Sequence, residues 1–154
     1  MHLDVTITLT AIAALAAFYM AWNIGANNVA VAMGTSVGSG ALTLAGALVV
    51  AGCCEFGGAM LVGGSVTKTI ETGILRAPAF AGDPNGYAIG MACSLLSAAL
   101  WIHIATYRGW PISATHSIVG ALVGFALAAR GTASVNWESL RFIGLSWLIA
   151  PCLG

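Results

Sequence analysis

Asn23, Asn27 and Asn28 are where chemistry can start in this sequence. They stand inside residues 5–54, a 50-residue stretch with no Asp, Glu, Lys or Arg. A stretch that apolar belongs in a bilayer. Amides at membrane depth are costly unless they line a cavity or a pathway. Asn23 and Asn27 are four residues apart, so a helix puts them on one face, with Asn28 about 100° further round. Gly34, Thr35 and Ser36 follow one to two turns on, and the run Val37-Gly38-Ser39-Gly40 supplies an unwinding point. Gly34, Gly38 and Gly40 are therefore the candidate helix-break residues. A broken helix offers free N–H groups at one half and free C=O groups at the other, which suit an anion and a cation respectively. The competing reading is a close-packed helix pair with Gly and Asn as interhelical glue.

A second cluster reads Pro111-Ile112-Ser113-Ala114-Thr115-His116-Ser117. Proline suits the first turn of a helix, and Ser or Thr caps the N–H groups there. Such a start is a ready anion site, or simply a cap at the membrane surface. Glu55 is the one acid inside a predicted span. A charge there costs about 2.5–3.5 kcal/mol on insertion scales, so it calls for a cation, a proton or a partner helix. His103 also falls within a span and reads as an interhelical hydrogen bonder outside the site.

The elements that must position these groups follow from hydropathy. The chain has 154 residues, 59% hydrophobic and 6% charged, against about 25% charged for a soluble domain. Mean hydropathy is +0.94. The fold class is an all-α membrane protein. Predicted spans cover residues 5–32, 41–64, 87–107 and 112–129. Residues 65–86 form a polar connection, with a short helix over 66–75, and residues 130–141 form another, in which Trp137 anchors the interface. Residues 1–20 read as a retained first helix rather than a signal peptide, having no Lys or Arg ahead of the apolar stretch. Residues 142–154 are apolar but too short to cross about 30 Å at about 1.5 Å per residue. The expectation is about four transmembrane helices plus an incomplete fifth, with broken or re-entrant segments, in a fragment of a longer protein. If every span crosses, Lys68, Arg76, Arg130 and Arg141 share one side and the N-terminus is cytoplasmic. Zero net charge and no basic cluster exclude a nucleic-acid footprint. Of the four cysteines, Cys53, Cys54, Cys93 and Cys152, the adjacent Cys53 and Cys54 lie in apolar sequence, match no metal-ligand spacing and read as small packing residues.

The two polar clusters carry a resemblance. Gly25-Ala26-Asn27-Asn28-Val29-Ala30, with residues 34–43, closely resembles the first signature of the inorganic phosphate transporter (PiT) family. Glu55-Phe56-Gly57-Gly58 resembles that family's acid-containing second helix, and residues 111–116 its Pro-Val-Ser-Thr-Thr-His motif. The resemblance covers nearly the whole chain. It implies a multi-pass cell-membrane protein, not an enzyme, built from two inverted repeats, of which residues 1–154 are the first. Phosphate then lies between the repeats near mid-membrane and moves by symport with Na⁺ or H⁺, with no other cofactor. The implied phosphate contacts are Asn27, Asn28, Ser113, Thr115 and His116, with His116 orienting the Ser/Thr turn. The implied cation or relay residues are Asn23, Asn28 and Glu55. The implied partners are inorganic phosphate, the lipid bilayer and a second repeat, with a homodimer of this chain as the alternative to that repeat. Three positions depart from the family pattern: Asn28 stands for the usual Asp, Val31 for the usual Asn, and Ala114 for a common Thr. Alternatives are a sulfate permease of the same superfamily, a non-transporting half-protein, and a redox subunit with His103 and His116 as haem ligands.

Overall fold

The computed structural model describes residues 2–153, without the side chains of residues 2–5, 69, 71, 72 and 77. Glu71 of the expected polar connection therefore lies outside the described side chains, and Gly154 outside the described residues. Five helices follow one another: α1 (His2–Gly38), α2 (Leu44–Gly73), α3 (Pro84–Tyr107), α4 (Ala114–Arg130) and α5 (Trp137–Leu153). Short 3-10 turns, Ala77–Phe80 and Thr132–Ser134, lie in the α2–α3 and α4–α5 links. Thr6–Gly38, Leu44–Lys68 and Pro84–Tyr107 are long and apolar enough to cross a membrane. The 17 residues of α4 rise only about 25 Å, short of a hydrocarbon core of about 30 Å.

Several boundaries differ from the sequence reading, each for a local reason. α1 stays helical through Gly34, so that glycine marks no break. The break comes at Gly38 and the turn after it, where Gly40 takes φ +76°, a conformation that favours glycine. α2 does not stop at residue 64. The Ser65 and Thr67 hydroxyls donate to the Val62 and Gly63 carbonyls, so polar residues continue the helix without unsatisfied groups. α3 begins at Pro84 rather than Tyr87, because Asp83 caps it by accepting from the Gly86 N–H at 2.8 Å. α5 begins at Trp137, five residues before the expected start, with Asn136 Oδ1 accepting from the Ser139 N–H.

α1 runs parallel to α3, with Met20 packed among Ala98, Ala99 and Ile102. α4 returns antiparallel to α3, and Gly90 lies directly against the Phe125 ring, so the two backbones approach closely. The Ser94 hydroxyl reaches both its own helix at Gly90 O and α4 at Ala121 O. A second core, Ile74, Leu75, Val119, Leu122, Ala126 and Val135, closes the end where the two long links meet. There Arg76 N donates to Ser134 O and Asn136 N to Ile74 O, both at 2.9 Å, and Arg130 pairs with Asp83 at 3.3 Å. α2 joins the rest mainly at its ends. Ala47 and Ala51 are buried near one end, while Phe56, Met60 and Leu61 are exposed between.

Candidate functional site

The site grows from the α1–α3 seam. Asn27 is 4% exposed, and its Nδ2 donates to Thr106 Oγ1 at 3.0 Å and to the Trp110 carbonyl at 3.3 Å. The orientation of this amide is fixed by its neighbours. The Thr106 hydroxyl already donates to Ile102 O at 2.8 Å, so its oxygen can only accept from Asn27, and a carbonyl can only accept. Turning the amide over would set an oxygen against two acceptors. Asn27 Oδ1 is left buried with no hydrogen-bond partner. Asn27 lines a cavity of about 340 Å³ together with Ala26, Ala30, Val31, Thr106, Gly109, Trp110 and Pro111.

The Trp110 carbonyl reaches Asn27 because of how α3 ends. Gly109 adopts φ +69°, its N–H donates to Thr106 O, and the Trp110 N–H donates to Ala105 O at 2.8 Å. This paired closure at a left-handed glycine turns the chain back over the helix end. Arg108 lies over the Trp110 ring at 5.2 Å and packs the outer side of the same turn.

One turn earlier, Asn23 is 2% exposed and fully engaged. Its Nδ2 donates to Tyr19 O at 2.7 Å, and its Oδ1 faces His103 Nδ1 at 3.0 Å. Tyr19 O only accepts, so Oδ1 must be the end turned to the imidazole, and His103 donates from Nδ1. Asn23 therefore ties α1 to α3. His103 makes the interhelical bond that its lone position in a span suggests.

Pro111 carries the chain from the first cavity into the second cluster. Ser113 caps α4 by accepting from the His116 N–H at 3.3 Å. Ser113 and His116 line a cavity of about 360 Å³ with Trp101, Ile112 and Ser117. The His116 ring stacks on Trp147 of α5 at 3.5 Å between centroids and 24° between planes. Thr115 is exposed on the same first turn, and Asn28 is half-buried on α1; neither lines these two cavities.

Glu55 is exposed on α2, among apolar residues. α2 runs antiparallel to α1: Ala47 and Met33 border one cavity near the connecting turn, and Ile70 and Ala13 border another at the far end. Glu55 lies about 12 Å along α2 from Ala47, and Asn27 and Asn23 lie about 9 and 15 Å along α1 from Met33. The acid therefore stands at the depth of the asparagine turn.

Sequence reading missed Thr106 and the Trp110 carbonyl. Thr106 is a lone hydroxyl at the end of an apolar run, and the glycine after Arg108 signals the turn that brings the carbonyl in. The pairing with Asn27 spans 79 positions and leaves no local pattern.

With this geometry in hand, comparison with known proteins decides the family. Residues 24–154 match the family described as Phosphate transporter family. The chain belongs to it. The inorganic phosphate transporter 2-1, chloroplastic, of Arabidopsis thaliana is 50% identical over 89% of this chain and 23% of its own length. A sodium-dependent phosphate transporter of Plasmodium falciparum is 43% identical over 90% of this chain and 21% of its own. A solved structure titled the sodium-dependent phosphate transporter superposes with a TM-score of 0.89 at 43% identity, covering 94% of this chain and 36% of that one. The chain thus spans between about a fifth and about a third of the length of these relatives. The all-helical membrane fold and the family expected from residues 25–43, 55–58 and 111–116 both hold.

Proposed function

We propose that this family member is the first of two inverted repeats of a secondary transporter, not an enzyme, and that it moves inorganic phosphate with Na⁺ across the cell membrane. The observation that carries the reading is the junction at Trp110–Pro111. It joins a buried, unpartnered carbonyl oxygen at Asn27 to the hydroxyl-capped start of α4. The first suits a hard cation, which takes oxygen ligands, and the second suits an oxyanion. The likeness to transporters named as sodium-dependent favours Na⁺ as the coupling ion.

In this reading Ser113, Thr115 and the free N–H groups of the first α4 turn hold phosphate oxygens. His116, stacked on Trp147, keeps that turn in place. Asn27 Oδ1 and Glu55 serve the cation. Asn28 reaches either ion, since its amide carries both a donor and an acceptor. Asn23 acts through α3 rather than on the ion, because both ends of its amide are engaged. Neither α1 nor α3 contains an Arg or Lys, so in this reading the anion is neutralised by dipoles, hydroxyls and the co-bound cation.

The test is uptake of labelled phosphate into proteoliposomes holding the full protein that carries this sequence. Ser113→Ala is expected to raise the KM for phosphate, and Glu55→Gln to weaken or abolish the Na⁺ dependence. Retention of both uptake and its ion dependence by both variants would falsify these roles. Uptake inhibited more strongly by sulfate than by unlabelled phosphate would reassign the substrate.

A further inference from the structure

We infer that Thr106, together with the Trp110 carbonyl, is the positioning pair that sets which end of the Asn27 amide is left unpaired, and so makes Asn27 a cation ligand rather than an anion donor. This rests on the Na⁺-coupled reading above and adds to it a residue outside the two polar clusters.

An asparagine at membrane depth offers two opposite chemistries from one planar group. Its NH₂ end serves an oxyanion, and its oxygen serves a cation. Which one a ligand can use depends on the partners of the other end. Here both Asn27 Nδ2 contacts are to atoms that cannot donate toward it. Thr106 Oγ1 has given its proton to Ile102 O, and Trp110 offers a carbonyl. The oxygen left over is buried and unpaired, in a residue that borders a cavity of about 340 Å³. Leaving such an atom without a partner is costly, so a ligand that supplies a positive charge or a proton is favoured there. In this reading Asn27 serves the cation rather than phosphate, because the donor end of its amide is spent on α3 and the turn after it.

Thr106→Val keeps the shape of the side chain and removes the acceptor. The amide is then held by the longer bond to the Trp110 carbonyl alone, and its orientation is less firmly set. Losing an outer partner that orients a metal ligand costs about tenfold to a hundredfold in ion affinity. In proteoliposomes of the full protein, Thr106→Val is therefore expected to raise the Na⁺ concentration for half-maximal phosphate uptake by about tenfold or more. The KM for phosphate at saturating Na⁺ should stay within about twofold, a split that a general loss of structure does not produce. Thr106→Ser restores the acceptor and is expected to restore the wild-type Na⁺ dependence. The same order should appear without transport, as the Na⁺-induced rise in melting temperature of the detergent-solubilised protein in the absence of phosphate. If the valine variant does not fold, Thr106→Ala carries the same expectation with no steric conflict. Wild-type uptake that depends on Na⁺, with Thr106→Val unchanged in both measurements, overturns this inference alone. Wild-type uptake indifferent to Na⁺ overturns the coupling reading and this inference with it.

Discussion

Asn28 follows the one asparagine whose side-chain carbonyl is buried without a partner, at a position where the family pattern carries Asp. An amide there lends a cation a dipole, and a carboxylate lends it a full charge. At about 4 Å that charge is worth about 1 kcal/mol in water and about 4 kcal/mol at a partly shielded site. Asn28→Asp is therefore expected to lower the Na⁺ concentration for half-maximal uptake by at least about fivefold. The KM for phosphate should rise when Na⁺ is limiting, because an unneutralised carboxylate repels the anion. Uptake measured over a matrix of Na⁺ and phosphate concentrations separates the two effects, and an unchanged Na⁺ dependence removes Asn28 from the cation site. At this scale much is legible in the sequence. An amide or acid inside a charge-free run announces itself, as Asn23, Asn27 and Glu55 do. What stays hidden is which end of an amide is spent on packing. Asn23 and Asn27 look equivalent as letters four apart, yet one is saturated by Tyr19 and His103 and the other keeps a bare oxygen. Their partners come from α3, about 80 positions later in the chain.

Among the elements, α3 packs closely on both α1 and α4 while α2 is loose, and two glycines make the contrast measurable. A Cβ at Gly90 would run into the Phe125 ring, whereas one at Gly58 on α2 meets nothing within 4 Å. Gly90→Ala is expected to cost about 1–3 kcal/mol through overpacking at the helix seam. Gly58→Ala should stabilise by up to about 1 kcal/mol, since alanine restricts the unfolded chain and favours helix. Thermal unfolding in detergent, followed by helical circular dichroism, reads both signs. A neutral Gly90→Ala means that α4 can slide off α3 at no cost. The sequence announces these helices by apolar length, and their ends by Asp83-Pro84 and Arg108-Gly109. It misleads at Gly34 and at Ser65. Glycine and hydroxyl residues look like breaks in a string of letters. Inside a membrane helix, however, the hydroxyl returns its proton to a carbonyl three or four residues back, and the glycine keeps the ladder unbroken.

Across the whole molecule, stability and transport make opposite demands on α2. Its middle turns carry Phe56, Met60 and Leu61 outward, and in the same exposed stretch stands Glu55, an acid with no hydrogen bond among the described residues. By contrast, Asn23 is matched with His103, and the amide nitrogen of Asn27 with Thr106. Within this bundle, then, Glu55 contributes no folding contact and brings an insertion cost of about 2.5–3.5 kcal/mol. A group kept under such a cost, at the depth of the asparagine turn, is held for an ion or for a surface outside these five helices. Glu55→Leu separates the two demands. In the 154-residue chain it is expected to raise the melting temperature in detergent, because an apolar side chain replaces a charge on an apolar face. In the full protein the same change is expected to abolish Na⁺-dependent phosphate uptake while leaving the protein in the membrane. Parallel measurement of melting and uptake decides the matter. A variant that melts lower in the isolated chain means that Glu55 is already satisfied within α1–α5, and its place in the cation pathway then has no physical basis.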